Sequence, residues 1–242
     1  MITTPLSEED TTLLDRAVAL AQKGLFTTKP NPRVGCVIAR EGKIIGEGWH
    51  VRAGQVHAEI AALIAADHDV RGADVFVSLE PCSHHGKTGP CATALIDAGV
   101  ARVVISMLDP NPEVSGRGVE MLRQAGIQVL ISDNPEQARM INSGFCLRME
   151  KGRPLVRLKI AATLDGRTAA SDGSSQWITG DSARKDVHTL RAMSCALITG
   201  IGTIRADNPR LNARVDSDVE QPLRVVVAGR HVVPPDAAIF NE

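Results

Sequence analysis

Leu13, Leu14, Ala17, Val18 and Ala21 recur at the spacing of an amphipathic helix. Ser7 and Asp10 supply its N-terminal signal, and Gly24 ends it. The period then changes to that of strands. Arg33 to Ala39 and Lys43 to Gly48 predict two strands joined by the turn Arg40–Glu41–Gly42. A helix follows from about His57, with Ala58, Ala61, Ala62 and Ile64 on one face. Short apolar runs at Asp74 to Leu79, Val103 to Met107 and Gln128 to Ile131 predict buried strands. Helices are expected at Ala92 to Ala98 and at Val119 to Ala125, and from Pro135 to about Arg148. This β-β-α-β-α-β-α-β-α order predicts a three-layer α/β domain over residues 1–150.

The polar stretch "KGRP" at 151–154 interrupts the pattern, and a second unit is expected over 151–242. In it Leu155 to Ala161, Ala196 to Thr199 and Leu223 to Ala228 predict strands, and Ser182 to Arg191 a helix. That is the first part of another α/β domain. There is no internal repeat.

Composition narrows the class. Hydrophobic residues make up 43% of the 242 and aromatic residues 2%, so the core must be built from Val, Ile, Leu and Ala. The net charge of -1 gives no general attraction to a nucleic-acid backbone. No apolar run approaches the ~20 residues of a membrane helix. "MITTPLSEED" has no secretory pattern, so a cytoplasmic protein without membrane or nucleic-acid partners is expected. In that reducing setting clustered Cys and His point to metal rather than to disulfides.

The cluster lies in two pieces. "HAE" places His57 at a helix start and Glu59 two residues on. "PCSHHGKTGPC" adds Cys82, at the end of a strand, and Cys91, at the start of the next helix. One His and two Cys suit Zn²⁺ and leave a fourth position for water, with Glu59 placed to move protons. The alternatives are a closed knot with His84 or His85 as fourth ligand, which leaves Glu59 without a role, and unrelated buried cysteines. Cys36, Cys146 and Cys195 join no motif and read as small core residues.

H-x-E followed by P-C-x-x-C is the signature of zinc deaminases of nucleobases. Here eight residues separate the cysteines instead of two. The longer loop carries His84, Lys87, Thr88 and backbone N–H groups near Gly86 and Gly89, a set suited to an anion such as phosphate.

"NPRVGCVI", "HAE", "LEPCSHHGKTGPC" and "DPNPEVSGRG", with "KIAATLDGRTA", "SQWITG" and "GIGTIRADNPRL", together resemble the bifunctional riboflavin-biosynthesis deaminase/reductases (RibD type). The likeness runs from about residue 12 to residue 230. It implies a cytidine-deaminase-like domain followed by part of a dihydrofolate-reductase-like domain. It further implies deamination of a phosphoribosylamino-diaminopyrimidinone, then NADPH-dependent reduction of the ribosyl group to ribityl. His57, Cys82 and Cys91 would hold zinc and Glu59 would be catalytic. Asn31, His50, His84 and Lys87 would contact the pyrimidine substrate. In the second unit the resemblance puts Ala161, Trp177, Thr203 and Asp207 at NADPH. It puts Lys159, Ser175, Thr179, Arg191, Leu211 and Arg214 at the reductase substrate. As a motif alone, "GIGT" is a lone Gly-X-Gly turn, since Arg205 stands where a third glycine would be.

The family's reductase domain continues past these residues, so this chain is expected to deaminate but not to reduce. A small-molecule phosphorylated pyrimidine and further copies of the chain, as a homo-oligomer, are the expected partners. Two rivals remain: a stand-alone zinc deaminase of nucleobases, nucleosides or tRNA, and a zinc-stabilised binding module without catalysis.

Overall fold

The computed structural model describes residues 5–83 and 89–241. They form two compact units, one up to Leu155 and the other from Val156.

The first unit opens with helix α1 (Glu8–Gln22). The Ser7 side chain caps it, accepting the Asp10 N–H at 3.1 Å. Strands β1 (Gly35–Arg40) and β2 (Lys43–Trp49) form an antiparallel hairpin in which Arg40 pairs with Lys43. That pairing leaves Glu41 and Gly42 as a two-residue loop, both at positive φ, the geometry of a turn that follows the sheet's own twist. Next come α2 (Ala58–Ala65), β3 (Asp74–Val77), α3 (Cys91–Asp97), β4 (Arg102–Ile105), α4 (Arg117–Gln124) and β5 (Gln128–Ile131). The five strands lie in the order β2-β1-β3-β4-β5. β1 is antiparallel to both of its neighbours, while β3, β4 and β5 run parallel.

Strand alternation divides the core in two. Cys36 and Ile38, Val75 and Val77, and Val103 and Ile105 pack toward Ala58, Ala62, Ala92, Leu95, Val119 and Leu122 of α2, α3 and α4. Val37, Ala39, Phe76 and Val104 face Leu13, Leu14, Ala17 and Leu20 of α1. These are the three layers that the period-two runs predict. Asp10 of α1 also ties the helix to the sheet through Arg102, which pairs with Asp74 as well.

The expected helix from Pro135 to Arg148 is two helices, α5 (Glu136–Ile141) and α6 (Ser143–Lys151). The break falls at fully buried Asn142, whose carboxamide is committed elsewhere. Its Oδ1 accepts the Arg33 N–H at 2.8 Å and its Nδ2 donates to the Arg33 carbonyl at 2.9 Å.

In the second unit α7 (Asp181–Met193) leads to β6 (Ala196–Gly200), α8 (Ile201–Asp207) and β7 (Leu223–Val227). β6 and β7 form a parallel pair. Ile204, Ala237 and Ile239 make a small buried cluster there. The strand expected at Leu155 to Ala161 is not formed. Its alternation suits a ladder, but it has no ladder partner among the described residues, and Val156, Leu158 and Ile160 stand exposed. A strand is made by its neighbour's hydrogen bonds, which no local pattern supplies. Cys195, expected in a core, is exposed just before β6. No described helix is long and apolar enough to cross a membrane.

The seating of α2 depends on two glycines of β2. A Cβ on Gly48 would overlap the Ala58 carbonyl and lie 2.5 Å from the Ala62 nitrogen, and one on Gly46 would lie 2.5 Å from the Ala62 carbonyl oxygen. Helix and strand therefore touch backbone to backbone. Gly48→Ala should overpack this contact and cost about 1–3 kcal/mol of stability. The measurement is the midpoint of denaturant unfolding, which should fall at unchanged slope; an unchanged midpoint would mean that α2 has room to shift.

Candidate metal centre

Three chain segments converge at one end of the sheet. β3 stops at Val77, and the irregular segment that bends at Ser78 and Leu79 delivers Cys82. α2 presents His57 as its N-cap residue and Glu59 in its first turn. α3 begins with Cys91. His57, Cys82 and Cys91 bring one nitrogen and two sulfur atoms within 4.8 Å of one another. His57 Nδ1 lies 3.3 Å from Cys91 Sγ and 3.6 Å from Cys82 Sγ. Those separations match the ~3.5 Å edge of a tetrahedron built from ordinary zinc–sulfur and zinc–nitrogen bonds. The donor set therefore fits Zn²⁺.

The electrostatics agree. Hydrogen bonds from Cys91 and His57 pull the Cys82 thiol down to about 4, the Cys91 backbone N–H donating to its sulfur at 3.2 Å. The Cys91 thiol moves the other way, held up by its bond to Cys82 and by burial. Two adjacent thiolates repel, so only one ionises readily without a cation between them, and a divalent ion removes that penalty. His57 is raised chiefly by its hydrogen bond with Cys82. Glu59 is 3% exposed, and burial, helped by the Cys82 charge, raises it to about 7.

Beside the cluster, His50 is buried and stands edge-on to His57, with ring centroids 5.3 Å apart. Burial lowers its pKa and favours the neutral ring. Its Nδ1 donates to the Val56 carbonyl at 3.0 Å, which leaves Nε2 to accept from Asn31 Nδ2 at 3.3 Å. Asn31 and His50, both expected at the substrate, are thus brought together next to His57. The Arg33–Asn142 pairing holds the same loop from its other side, and residue spacing gave no signal for it. Buried Cys36 belongs to the core beneath, its thiol raised by burial and by Glu59. His84, His85 and Lys87 lie outside the described residues.

In the second unit Lys159 and Ala161 lie on the segment without regular structure after Leu155, and Ser175, Trp177 and Thr179 on the loop before α7. The Arg184 guanidinium covers the Trp177 ring, 4.4 Å from its centroid. Thr203 and Asp207 belong to α8, so the Gly-X-Gly turn joins a strand to a helix. Arg191 and Arg214 are brought together: Arg191 donates to the Asn212 carbonyl at 3.2 Å and Arg214 to Asn212 Oδ1 at 2.7 Å. His188, which was not foreseen, joins them by accepting the Arg214 backbone N–H at 3.2 Å. Burial first, then the neighbouring cations, lowers both Arg191 and His188. Its position one turn before Arg191 on α7 was the available signal. Leu211 follows α8 in the left-handed region, at φ 53°.

Known proteins match both units. Residues 7–107 match the cytidine and deoxycytidylate deaminase zinc-binding region, and residues 154–242 match the RibD C-terminal domain. The chain is 49% identical over 246 residues to riboflavin biosynthesis protein RibD of Escherichia coli, covering 97% of this chain and 67% of that one. It is 47% identical over 246 residues to the Haemophilus influenzae protein of the same name, covering 97% and 66%. Among solved structures, Acinetobacter baumannii RibD superposes with a TM-score of 0.92 at 48% identity, covering 97% of this chain and 67% of that one. A Thermotoga maritima diaminohydroxyphosphoribosylaminopyrimidine deaminase/5-amino-6-(5-phosphoribosylamino)uracil reductase gives 0.90 at 42% identity, with the same coverage. The chain thus spans about two thirds of the length of these relatives.

The converging donors give a direct expectation. The purified chain should hold one zinc, and Cys91→Ala should lower zinc affinity by at least about 10-fold, by analogy with the losses known at zinc sites. Metal analysis after dialysis against a graded chelator measures both. Full zinc retention by Cys91→Ala would remove Cys91 from the ligand set.

Proposed function

Because the chain belongs to the RibD family of riboflavin biosynthesis, we propose that its first unit is a zinc-dependent deaminase of a phosphorylated diaminopyrimidine. The observation that carries this reading is the meeting of His57, Cys82 and Cys91 beside buried Glu59. A scaffold zinc site has no use for a buried carboxylate that forms no salt bridge with a Lys or Arg among the described residues. When bound, zinc supplies a Lewis acid that makes water nucleophilic near neutral pH.

The protein's own groups do the rest. His57, Cys82 and Cys91 hold the ion. Glu59 takes a proton from the water that adds to the ring carbon bearing the amine. It returns a proton to the departing nitrogen, so that the carbon–nitrogen bond breaks and ammonia leaves. The ring carbon is left as a carbonyl, and one water has been consumed. Asn31, held by His50, faces the ring as a hydrogen-bonding group. Lys87 and His84, which the sequence carries between the two cysteine ligands, are assigned to the substrate's phosphate.

For the second unit the supporting observations are the RibD C-terminal match and the Arg191, Arg214 and His188 cluster. Arg191 and Arg214, with Lys159, Ser175, Thr179 and Leu211, would receive the deaminated phosphate ester. Ala161, Trp177, Thr203 and Asp207 would border NADPH. Together with the part of the reductase domain that lies in the remaining third of the relatives' length, these groups would serve hydride transfer from NADPH to ribosyl C1. A proton to the ring oxygen would then open the sugar to ribityl. The residues of this chain are proposed to supply only their share of that site. We place the protein in the cytoplasm as a homo-oligomer, consistent with that small-molecule chemistry.

Two variants test the deaminase. Glu59→Gln keeps the shape of the side chain and removes the proton carrier. Ammonia release from the phosphorylated diaminopyrimidine should fall at least about 10²-fold with zinc content unchanged. Wild-type turnover in that variant would refute the mechanism, and a zinc-loaded wild type that releases no ammonia would favour the scaffold reading. Lys87→Ala should lower kcat/KM about 10- to 100-fold, the value of a charged hydrogen bond to phosphate, and leave zinc in place. Equal loss on an unphosphorylated analogue would show that Lys87 does not read the phosphate.

A further inference from the structure

Glu80 is 3% exposed, lies two residues before Cys82, and takes no part in the chemistry above. Its carboxylate is fully engaged by backbone. Oε2 accepts the N–H of Asp109 at 3.2 Å and of Gly116 at 2.9 Å, and Oε1 accepts the N–H of Val119 at 3.2 Å. These donors mark the start and end of the loop after β4 and the first turn of α4. The loop is already folded on itself. Asp109 Oδ1 accepts the Asn111 N–H at 2.8 Å, and Asn111 Oδ1 accepts the Glu113 N–H at 3.1 Å. Glu80 is what joins this preformed loop to the run that carries Cys82. Gly118 closes the joint, since a Cβ there would overlap the Pro81 carbonyl.

The topology gives this joint a use. β3 and β4 are adjacent and parallel, with Val77 opposite Ile105, so the segments after them leave the sheet at the same edge. In such sheets ligands bind in the crevice beyond the carboxyl ends of the strands. The segment after β3 brings Cys82 to that crevice, and the loop from Asp109 to Gly116 stands next to it.

We propose that Glu80 is a positioning residue that holds the Asp109–Val119 segment as a wall of the substrate crevice, at a fixed distance from Cys82. The inference rests on the deaminase reading. Glu80 touches neither substrate nor metal and acts through the loop. A carboxylate is suited to this because it offers lone pairs on both oxygens to three donors, whereas a carboxamide would turn an N–H₂ toward an N–H.

The test is Glu80→Gln on the whole, zinc-loaded chain. Zinc should stay at one per chain and kcat should change less than about 3-fold, while KM and the calorimetric dissociation constant for the phosphorylated pyrimidine rise about 10-fold. Amide hydrogen exchange should quicken over 109–119 and not across the sheet. A loss of stability alone would not produce that split. Unchanged affinity, a fall in kcat at constant KM, or loss of zinc would each overturn the proposal. Should Glu80→Gln fail to fold, Gly118→Ala pushes α4 away from Pro81 with Glu80 intact. It should raise KM in the same way, and a wild-type KM there would equally overturn it. If the wild type binds the pyrimidine but releases no ammonia, the deaminase reading falls, and the affinity comparison still decides the role of Glu80.

Discussion

The parallel pairing of β3 with β4 is the constraint on which the site depends. It ends two neighbouring strands at one edge, so that the segments leaving them must share a single crevice. Cys82 comes from the first segment, and the loop fixed by Glu80 comes from the second. The antiparallel pairing of β1 with β3 sets the opposite rim, because it starts β1 where β3 ends. The residues before β1 therefore bring Asn31 to the same place. Helix α2 must then lie low enough on β1 and β2 for His57 and Glu59 to face the cysteines. The glycines of β2 and the alanines of α2 permit that approach. A poverty of aromatic residues, which first appears as a mere compositional bias, thereby becomes a packing condition for the site.

Much of this was legible because the signals were local. Ser7 capping α1, the period-two runs of the sheet, and His57, Cys82 and Cys91 at helix or strand ends each rest on neighbours within a few positions. What was hidden depended on groups far apart in sequence. Asn142 breaks a helix because its carboxamide serves Arg33, over a hundred positions away. His50 is placed by Val56 and Asn31, and His188 joins Arg214 from another element. The run from Leu155 fails as a strand for the same reason. Its side-chain pattern is sound, and the ladder that a strand requires is absent among the described residues.

The two units use different physics for what the proposed chemistry asks of them. The first concentrates its groups in a buried place. There a carboxyl, two thiols and an imidazole shift one another strongly because water is excluded. Such a set is suited to moving protons within a few ångströms. The second keeps its arginines nearer the surface, tied through Asn212, and places two guanidinium groups close together. That arrangement opposes itself unless an anion is present, which suits binding more than bond-making.

A phosphate is the feature that the two proposed substrates have in common, since neither deamination of the ring nor reduction of the sugar touches it. It is therefore a charged handle by which both units can hold successive forms of a single molecule. In the first unit the cation proposed for it is Lys87, with His84, both carried between the two cysteine ligands in the sequence. In the second it is Arg191 and Arg214, whose forked guanidinium groups offer more donors than an ammonium does. A product must leave the first site before the second can take it. A lysine and a histidine on one side and a paired, pre-tied set of arginines on the other would bias the phosphate forward. The order of the two reactions would then follow from the strength of the grip as well as from the chemistry of the ring.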